Sequence, residues 1–131
     1  MTHDFITRHL AEKPDATAPD GSEVRILAAT LRGSMAQFSL PAGKVSIAVC
    51  HRTVDELWYF TSGSGKLWRK TNRAEETIDV HSGISISIPV GTQFQVRCDS
   101  PGPLQAVGVT MPPWPGSDEA FAVGGIWMPV A

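Results

Sequence analysis

GKVSIAVCHRTVDELWYFTSG, residues 43–63, and GISISIPVGTQFQVRC, residues 83–98, are the two stretches of this sequence that decide its fold. The first has fixed points separated by five, four and six residues: Gly43, Val49-Cys50-His51, Glu56 and Gly63. The second has fixed points separated by five, two and three residues: Gly83, Pro89-Val90-Gly91, Phe94 and Cys98. Glycine and proline set turns, while His51 and Glu56 are side chains able to move protons or bind metals.

This layout resembles the two-part signature of the cupin family. There the first motif contains His-x-His and a glutamate, and the second contains Pro-x-Gly and a further histidine. The glycines, the proline, one histidine and the glutamate match, at the family's spacing. Val49 replaces the first histidine of the family and Phe94 replaces the last. The resemblance covers roughly residues 23–111 and implies an all-β double-stranded β-helix, or jelly roll, whose metal site is degenerate.

Length and composition fit a modest globular protein. The chain has 131 residues, 11 basic and 13 acidic side chains, and a net charge of -2, which argues against nucleic acid and anionic membranes as partners. No apolar run approaches a membrane span, and the N-terminus lacks the layout of a secretory signal. We therefore expect a cytoplasmic protein in which the two cysteines, Cys50 and Cys98, are reduced and buried.

Strand-like runs follow one another at close spacing along most of the chain. We predict strands at residues 23–30, 34–40, 44–50, 55–62, 65–70, 76–80, 84–88, 93–98 and 103–111. Several alternate strictly between apolar and polar residues, as half-buried strands do. Turn-forming residues separate them. This pattern by itself, apart from the family resemblance, favours a β-sandwich or barrel.

The ends of the chain differ from the middle. Residues 5–13 contain good helix formers before Pro14, so we predict a short N-terminal helix there. Residues 112–131 contain four prolines, which exclude an interior helix or a central strand. We expect one domain, residues 1–131, with a barrel core at about 23–111 and an irregular C-terminal arm at 112–131 whose tryptophans pack on the barrel or on a neighbouring subunit.

The resemblance predicts which side chains face the interior of the barrel. Ile47, Val49 and His51 should point inward from one strand, and Leu57 and Tyr59 outward from the next. We expect His51 and Glu56 to be the polar centre of the site, as a candidate acid–base pair. Its apolar walls are expected from Val49, Trp58, Phe60, Phe94, Val96 and Cys98. A filled barrel with no pocket is the alternative, since small barrels are often packed solid.

A metal cofactor is not expected, because stable sites generally use at least three protein ligands and only His51 and Glu56 match the family's set. A divalent transition metal remains an alternative if a β-bulge turns Gln93 or Gln95 into the cavity. The carboxylate would raise the pKa of His51 and burial would lower it. His81, beside a turn, is expected to be exposed.

Three functions are compatible with these residues. The first is a cupin that binds a small organic molecule through His51 and Glu56; in an enzyme, His51 would be the general acid or base and Glu56 would orient it. The second is a metal-dependent dioxygenase or isomerase with a non-standard ligand set. The third is a non-catalytic sensor or structural dimer. The resemblance also implies a homodimer, but fold alone does not choose an activity.

Overall fold

The computed structural model describes residues 4–130, which form two antiparallel sheets. In chain order the strands are β1 Ala16–Thr17, β2 Glu23–Ala29, β3 Ser34–Leu40, β4 Val49–His51, β5 Asp55–Ser62, β6 Ser64–Lys70, β7 Glu75–His81, β8 Ser85–Ile88, β9 Gln93–Cys98, β10 Leu104–Met111 and β11 Ala120–Ala122. One sheet has the order β1-β2-β3-β10-β5-β8, and the other has the order β11-β4-β9-β6-β7. The predicted all-β architecture of two antiparallel sheets is confirmed.

Alternation along the strands places the core between the sheets. In β5, Glu56, Trp58 and Phe60 are buried, while Leu57 and Tyr59 are about half exposed, as the period of two predicts. In β8 the two isoleucines are buried and the two serines are exposed. The largest fully buried side chains are Phe60, Phe94, Leu67 and Ile88.

The predicted N-terminal helix at residues 5–13 is wrong. This segment has no regular secondary structure, and Phe5 and Leu10 are exposed. A helix of nine residues is marginal in water unless it buries an apolar face, and this one has no surface to pack on. Instead, the Arg25 guanidinium on β2 donates hydrogen bonds to the carbonyls of Ala11 and Glu12.

The predicted strand at residues 44–50 is shorter and begins later. Only Val49–His51 is regular strand, because the preceding backbone finds other partners. The Ser46 amide donates to the Val96 carbonyl, and the Ile47 amide donates to the Asp20 carbonyl. Ile47 was expected to point inward, but it is 41% exposed, because it lies before β4 in backbone that is not regular strand.

The C-terminal arm is more regular than its prolines indicate. It contains a short 3-10 helix, Ser117–Glu119, and the edge strand β11, which pairs with β4. Its far end is held by Gln95 on β9, whose amide group donates to the carbonyls of Ser46 and Trp127 and accepts from the amides of Ile126 and Trp127. Both tryptophans pack on this chain: Trp114 stands edge-on to His51, and Trp127 stacks beneath Arg97.

Two glycines of the first motif shape turns in different ways. Gly63 has a φ of +79°, and a Cβ atom there would lie 2.3 Å from the Pro103 carbonyl oxygen. Gly43 has a similar φ of +75° but open space around the same position. Gly63 therefore meets two constraints, a left-handed backbone and a close approach of two backbone segments, whereas Gly43 meets only the first.

Alanine substitutions separate these two constraints. We predict that Gly43→Ala costs about 1 kcal/mol of unfolding free energy for the left-handed conformation and that Gly63→Ala costs at least twice as much. Gly102→Ala is the control, because its Cβ would meet open space, and it should change stability by no more than about 0.5 kcal/mol. Urea denaturation measures all three variants. Equal losses for the variants at Gly43 and Gly63 would contradict the close-approach argument.

Candidate functional site

A cavity of about 430 Å³ is bounded by residues of both sheets and by segments from both ends of the chain. The barrel contributes Val49 and His51 from β4, Glu56 and Trp58 from β5, and Phe94 from β9. The chain termini add residues 16–20 on one side and Pro113, Trp114, Ser117 and Ala120 on the other. The volume lies within the range of small-molecule sites, so the barrel is not packed solid.

His51 and Glu56 lie together inside this cavity. The His51 Nδ1 atom is 3.6 Å from the Glu56 Oε1 atom, and the two side chains are only 5% and 3% exposed. That separation is too long for a hydrogen bond, and Nδ1 has no hydrogen-bond partner. The structure thus brings the expected polar pair together without joining the two groups to each other.

Burial decides the protonation of both groups. It raises the pKa of Glu56 from 4.5 to about 8; the nearby Trp58 indole partly opposes this, and the charge of Asp20 adds to it. Burial also lowers the pKa of His51, although the charge of Glu119 works in the opposite direction. Of the two opposing effects expected for His51, desolvation is therefore the stronger. At neutral pH the pair consists of a protonated acid and an uncharged imidazole.

Gly108 on β10 makes room for the floor of the site. A Cβ atom at this position would lie 2.6 Å from the Phe38 ring, 2.9 Å from Trp58 and 3.1 Å from Glu56. Its absence lets Phe38 and Trp58 stack with ring centroids 5.4 Å apart. The Trp58 Nε1 atom lies close to Glu56, but the two groups do not meet the distance and angle of a hydrogen bond. A glycine between two valines in a strand signals a close approach of this kind.

Val49 and Phe94 occupy the two positions where the family carries histidines. They are directly paired across β4 and β9, both line the cavity, and both are 2% exposed. Phe94 also contacts the His51 ring edge-on at 5.2 Å between centroids. An apolar side chain thus stands at each place from which a third or fourth metal ligand would come.

The donor set does not fit a transition metal. Among residues 4–130, no group of three His, Cys, Asp or Glu side chains is arranged to hold an ion. The alternative with a bulge at Gln93 or Gln95 does not occur, because β9 pairs with β6 in unbroken register from Gly65↔Cys98 to Lys70↔Gln93. The amide group of Gln95 is used by the C-terminal arm.

The other residues expected in the pocket lie deeper in the core. Phe60 and Val96 line a second, much smaller cavity of about 20 Å³, and Cys98 lines neither cavity. The Cys98 thiol lies 3.3 Å from the Gly102 carbonyl oxygen. His81 is exposed, with Nδ1 3.0 Å from the Ser82 carbonyl oxygen.

Sequence reasoning missed two buried carboxyl groups. Asp20, in the loop before β2, lines the cavity and accepts hydrogen bonds from the Ser22 amide and hydroxyl; burial nevertheless raises its pKa. Glu119, in the arm, accepts from the Thr53 amide and hydroxyl and from the Val54 amide. Burial works to raise the pKa of Glu119, but these bonds outweigh it and lower the pKa. Both carboxyls lie in turn-rich sequence, where a polar residue normally indicates only a loop.

Chemically, the site offers a neutral proton donor and a neutral proton acceptor in apolar surroundings. Protonated Glu56 can donate to a ligand oxygen, and neutral His51 can accept a proton at Nδ1. A cavity with apolar walls strengthens such polar contacts, because little water competes with them.

No protein-family model and no curated protein matches this chain. Solved structures do. KdgF from Halomonas sp. is 17% identical, with a TM-score of 0.62 over 70% of this chain and 79% of that chain. An uncharacterized conserved protein with a double-stranded β-helix domain from Klebsiella pneumoniae is 12% identical, with a TM-score of 0.64 over 95% of this chain and 100% of that chain. Oxalate decarboxylase from Bacillus subtilis is 14% identical, with a TM-score of 0.69 over 86% of this chain but only 30% of that chain.

The protein therefore has the cupin fold, a double-stranded β-helix, and the resemblance read from the two motifs is confirmed. At these identities the likeness establishes the fold and not an activity. The similar structures include enzymes and an uncharacterized protein. None of the described residues forms a helix with the length and apolarity needed to cross a membrane.

Restoring the two missing histidines tests the geometry of the site. We predict that Val49→His with Phe94→His, added to His51 and Glu56, creates a four-donor site that binds Co²⁺ or Zn²⁺ tightly. Visible Co²⁺ absorption and calorimetry would report binding, and each single variant should bind more weakly. Adding Glu56→Gln to the double variant should weaken binding again. A folded double variant without metal affinity would contradict the convergence of these four positions.

The buried acid predicts a pH dependence of stability. The unfolded chain releases the Glu56 proton near pH 4.5, whereas the folded protein holds it until about pH 8. Between these values the unfolded state binds fewer protons, so stability falls as pH rises. The difference corresponds to about 5 kcal/mol at most. Glu56→Gln removes this dependence. In urea denaturation, the unfolding free energy of the variant minus that of the wild type should therefore increase from about pH 5 to about pH 9.

Glu12→Gln is the matched control, because Glu12 is exposed. Its effect on stability should be small at both pH values. A Glu56→Gln variant whose difference from the wild type is constant with pH would show that Glu56 is not a raised-pKa acid.

Proposed function

We propose that this protein binds a small, largely apolar organic molecule in the barrel cavity, with His51 and Glu56 as its polar contacts. The observation that carries the proposal is a cavity of about 430 Å³ with mostly apolar walls and few polar groups. Small-molecule sites commonly combine these features: apolar walls give affinity, and a few polar groups fix orientation.

Two unpartnered polar atoms support a ligand in this position. The His51 Nδ1 and Trp58 Nε1 atoms are buried without a hydrogen-bond partner, and both side chains line the cavity. Leaving a buried donor or acceptor unpaired costs about 1–3 kcal/mol. A bound molecule with a suitable polar group would remove part of that cost at two atoms.

The other functions drawn from the sequence have less support. A metal-dependent reaction lacks a third protein donor among the described residues, and a purely structural role leaves the cavity without a purpose. Catalysis by the neutral pair of Glu56 and His51 is compatible with binding but needs a substrate to define it. Cytoplasmic location and homodimer formation stay predictions.

Filling the cavity tests the proposal. Ala36→Leu on β3 places three extra carbon atoms on a residue that lines the cavity. Ala42→Leu makes the same change at an exposed turn. Ligand-observed NMR with a panel of small uncharged, cationic and anionic organic compounds should identify binders whose affinity falls at least about tenfold in the first variant and is unchanged in the second. A panel without a single binder that responds in this way would overturn the proposal.

A further inference from the structure

The charged and ionisable groups that line the cavity are biased to one sign. Asp20 and Glu56 both line it and are 7% and 3% exposed. Among the described residues that line the cavity, none is lysine or arginine. His51 is the one basic side chain in this set, and burial lowers its pKa. An anionic ligand would therefore meet acids and no fixed positive charge.

The walls of the same cavity are aromatic on several sides. Phe38, Trp58, Phe94 and Trp114 all line it. The Trp58 and Phe94 rings are nearly perpendicular, with centroids 5.8 Å apart, so these two lining rings differ in orientation. Aromatic faces attract organic cations through the negative face of the ring, most strongly for tryptophan.

Two buried polar atoms add a second kind of contact. The Trp58 indole N–H is a donor only and would be satisfied by a ligand oxygen. The His51 Nδ1 atom has no partner, and in the neutral ring it can accept a hydrogen bond. A ligand with an oxygen acceptor or a hydroxyl group near Asp20 and Glu56 would satisfy these two atoms.

We propose that the ligand is a small organic ammonium compound that carries an oxygen, with its cationic group against Glu56 and the aromatic walls. This inference rests on the proposed function, because it names the class of molecule that the cavity binds. Aromatic faces, two buried acids and the lack of a lining lysine or arginine all favour a positive ligand.

The energetics of Glu56 agree with this choice. Burial keeps its carboxyl protonated in an apolar cavity, because an isolated buried carboxylate is costly. A bound cation would compensate an ionised carboxylate there. A carboxylate ligand would instead be placed beside Glu56 and Asp20 without a counterion, which is the least favourable arrangement for either acid.

Three probes of nearly equal shape test the inference: choline, its uncharged carbon analogue 3,3-dimethyl-1-butanol, and the anion 3,3-dimethylbutanoate. Binding is followed in the full-length protein through the indole N–H resonances of its four tryptophans. Trp58 and Trp114 line the cavity, whereas Trp68 and Trp127 do not and serve as internal controls. Single tryptophan-to-phenylalanine variants assign the resonances.

We expect choline to shift the Trp58 and Trp114 resonances, to leave the other two unchanged, and to bind at least about tenfold more tightly than the alcohol. The anion should be the weakest of the three. Glu56→Gln keeps the size of the side chain but cannot ionise beside a bound cation, and it should reduce the preference for choline over the alcohol severalfold. Glu12→Gln should leave that preference unchanged.

The outcomes separate this inference from the proposed function. If the alcohol or the anion shifts the Trp58 and Trp114 resonances and binds as tightly as choline, the cavity is a binding site but the ligand is not an ammonium compound. If choline keeps its full preference in Glu56→Gln, the acid does not select the charge and the inference is overturned. If none of the probes shifts the two cavity tryptophans, both the inference and this use of the cavity fail.

Discussion

The burial of the Glu56 carboxyl in an apolar barrel is the constraint on which the rest of the site depends. An ionised carboxylate with no close cation is expensive in such surroundings, so the group holds its proton up to about pH 8. The neutral Glu56 carboxyl supplies no charge to stabilise a protonated imidazole, and burial keeps His51 uncharged as well. The two groups can therefore lie 3.6 Å apart without forming an ion pair.

Several other residues shape the surroundings of this pair. Gly108 leaves space for Glu56 beneath the stacked rings of Phe38 and Trp58. Trp114, on the C-terminal arm, contacts the His51 ring edge-on. After Trp114 the arm is held at two places: Glu119 binds the turn after β4, and residues 126 and 127 are tied to Gln95. Both side chains bond mainly to backbone groups, which holds the arm in place.

Much of the fold could be predicted because its signals are local. The alternation in β5 and β8 reports directly which side chains are buried, and the spacing of glycines and prolines reports the turns between strands. The motif positions of His51 and Glu56 then predict their proximity, since consecutive strands of the two facing sheets bring them together. The helix predicted at residues 5–13 was wrong, because local propensity alone does not hold a short helix whose apolar side chains stay exposed.

The parts that could not be predicted depend on contacts between distant segments. In the sequence Asp20 resembles an ordinary loop residue. It lines the cavity only because the chain before β2 folds over the barrel. Gln95 lies beside Phe94 in an alternating strand, and no local pattern distinguishes a solvent-facing amide from one that binds the arm through Ile126 and Trp127. The role of Gln95 is visible only together with its partners Ile126 and Trp127, which are 31 and 32 positions away in sequence.

The apolar side chains of Val49 and Phe94 also affect what the polar pair can do. In a site with several histidines, a glutamate would be an ionised ligand beside a cation. Here Val49 and Phe94 place apolar surface at the two positions where the signature carries histidines, and burial raises the pKa of Glu56 to about 8. A glutamate at this position can thus be an ionised ligand or a protonated acid, because the charge state of a buried carboxyl is set by its neighbours.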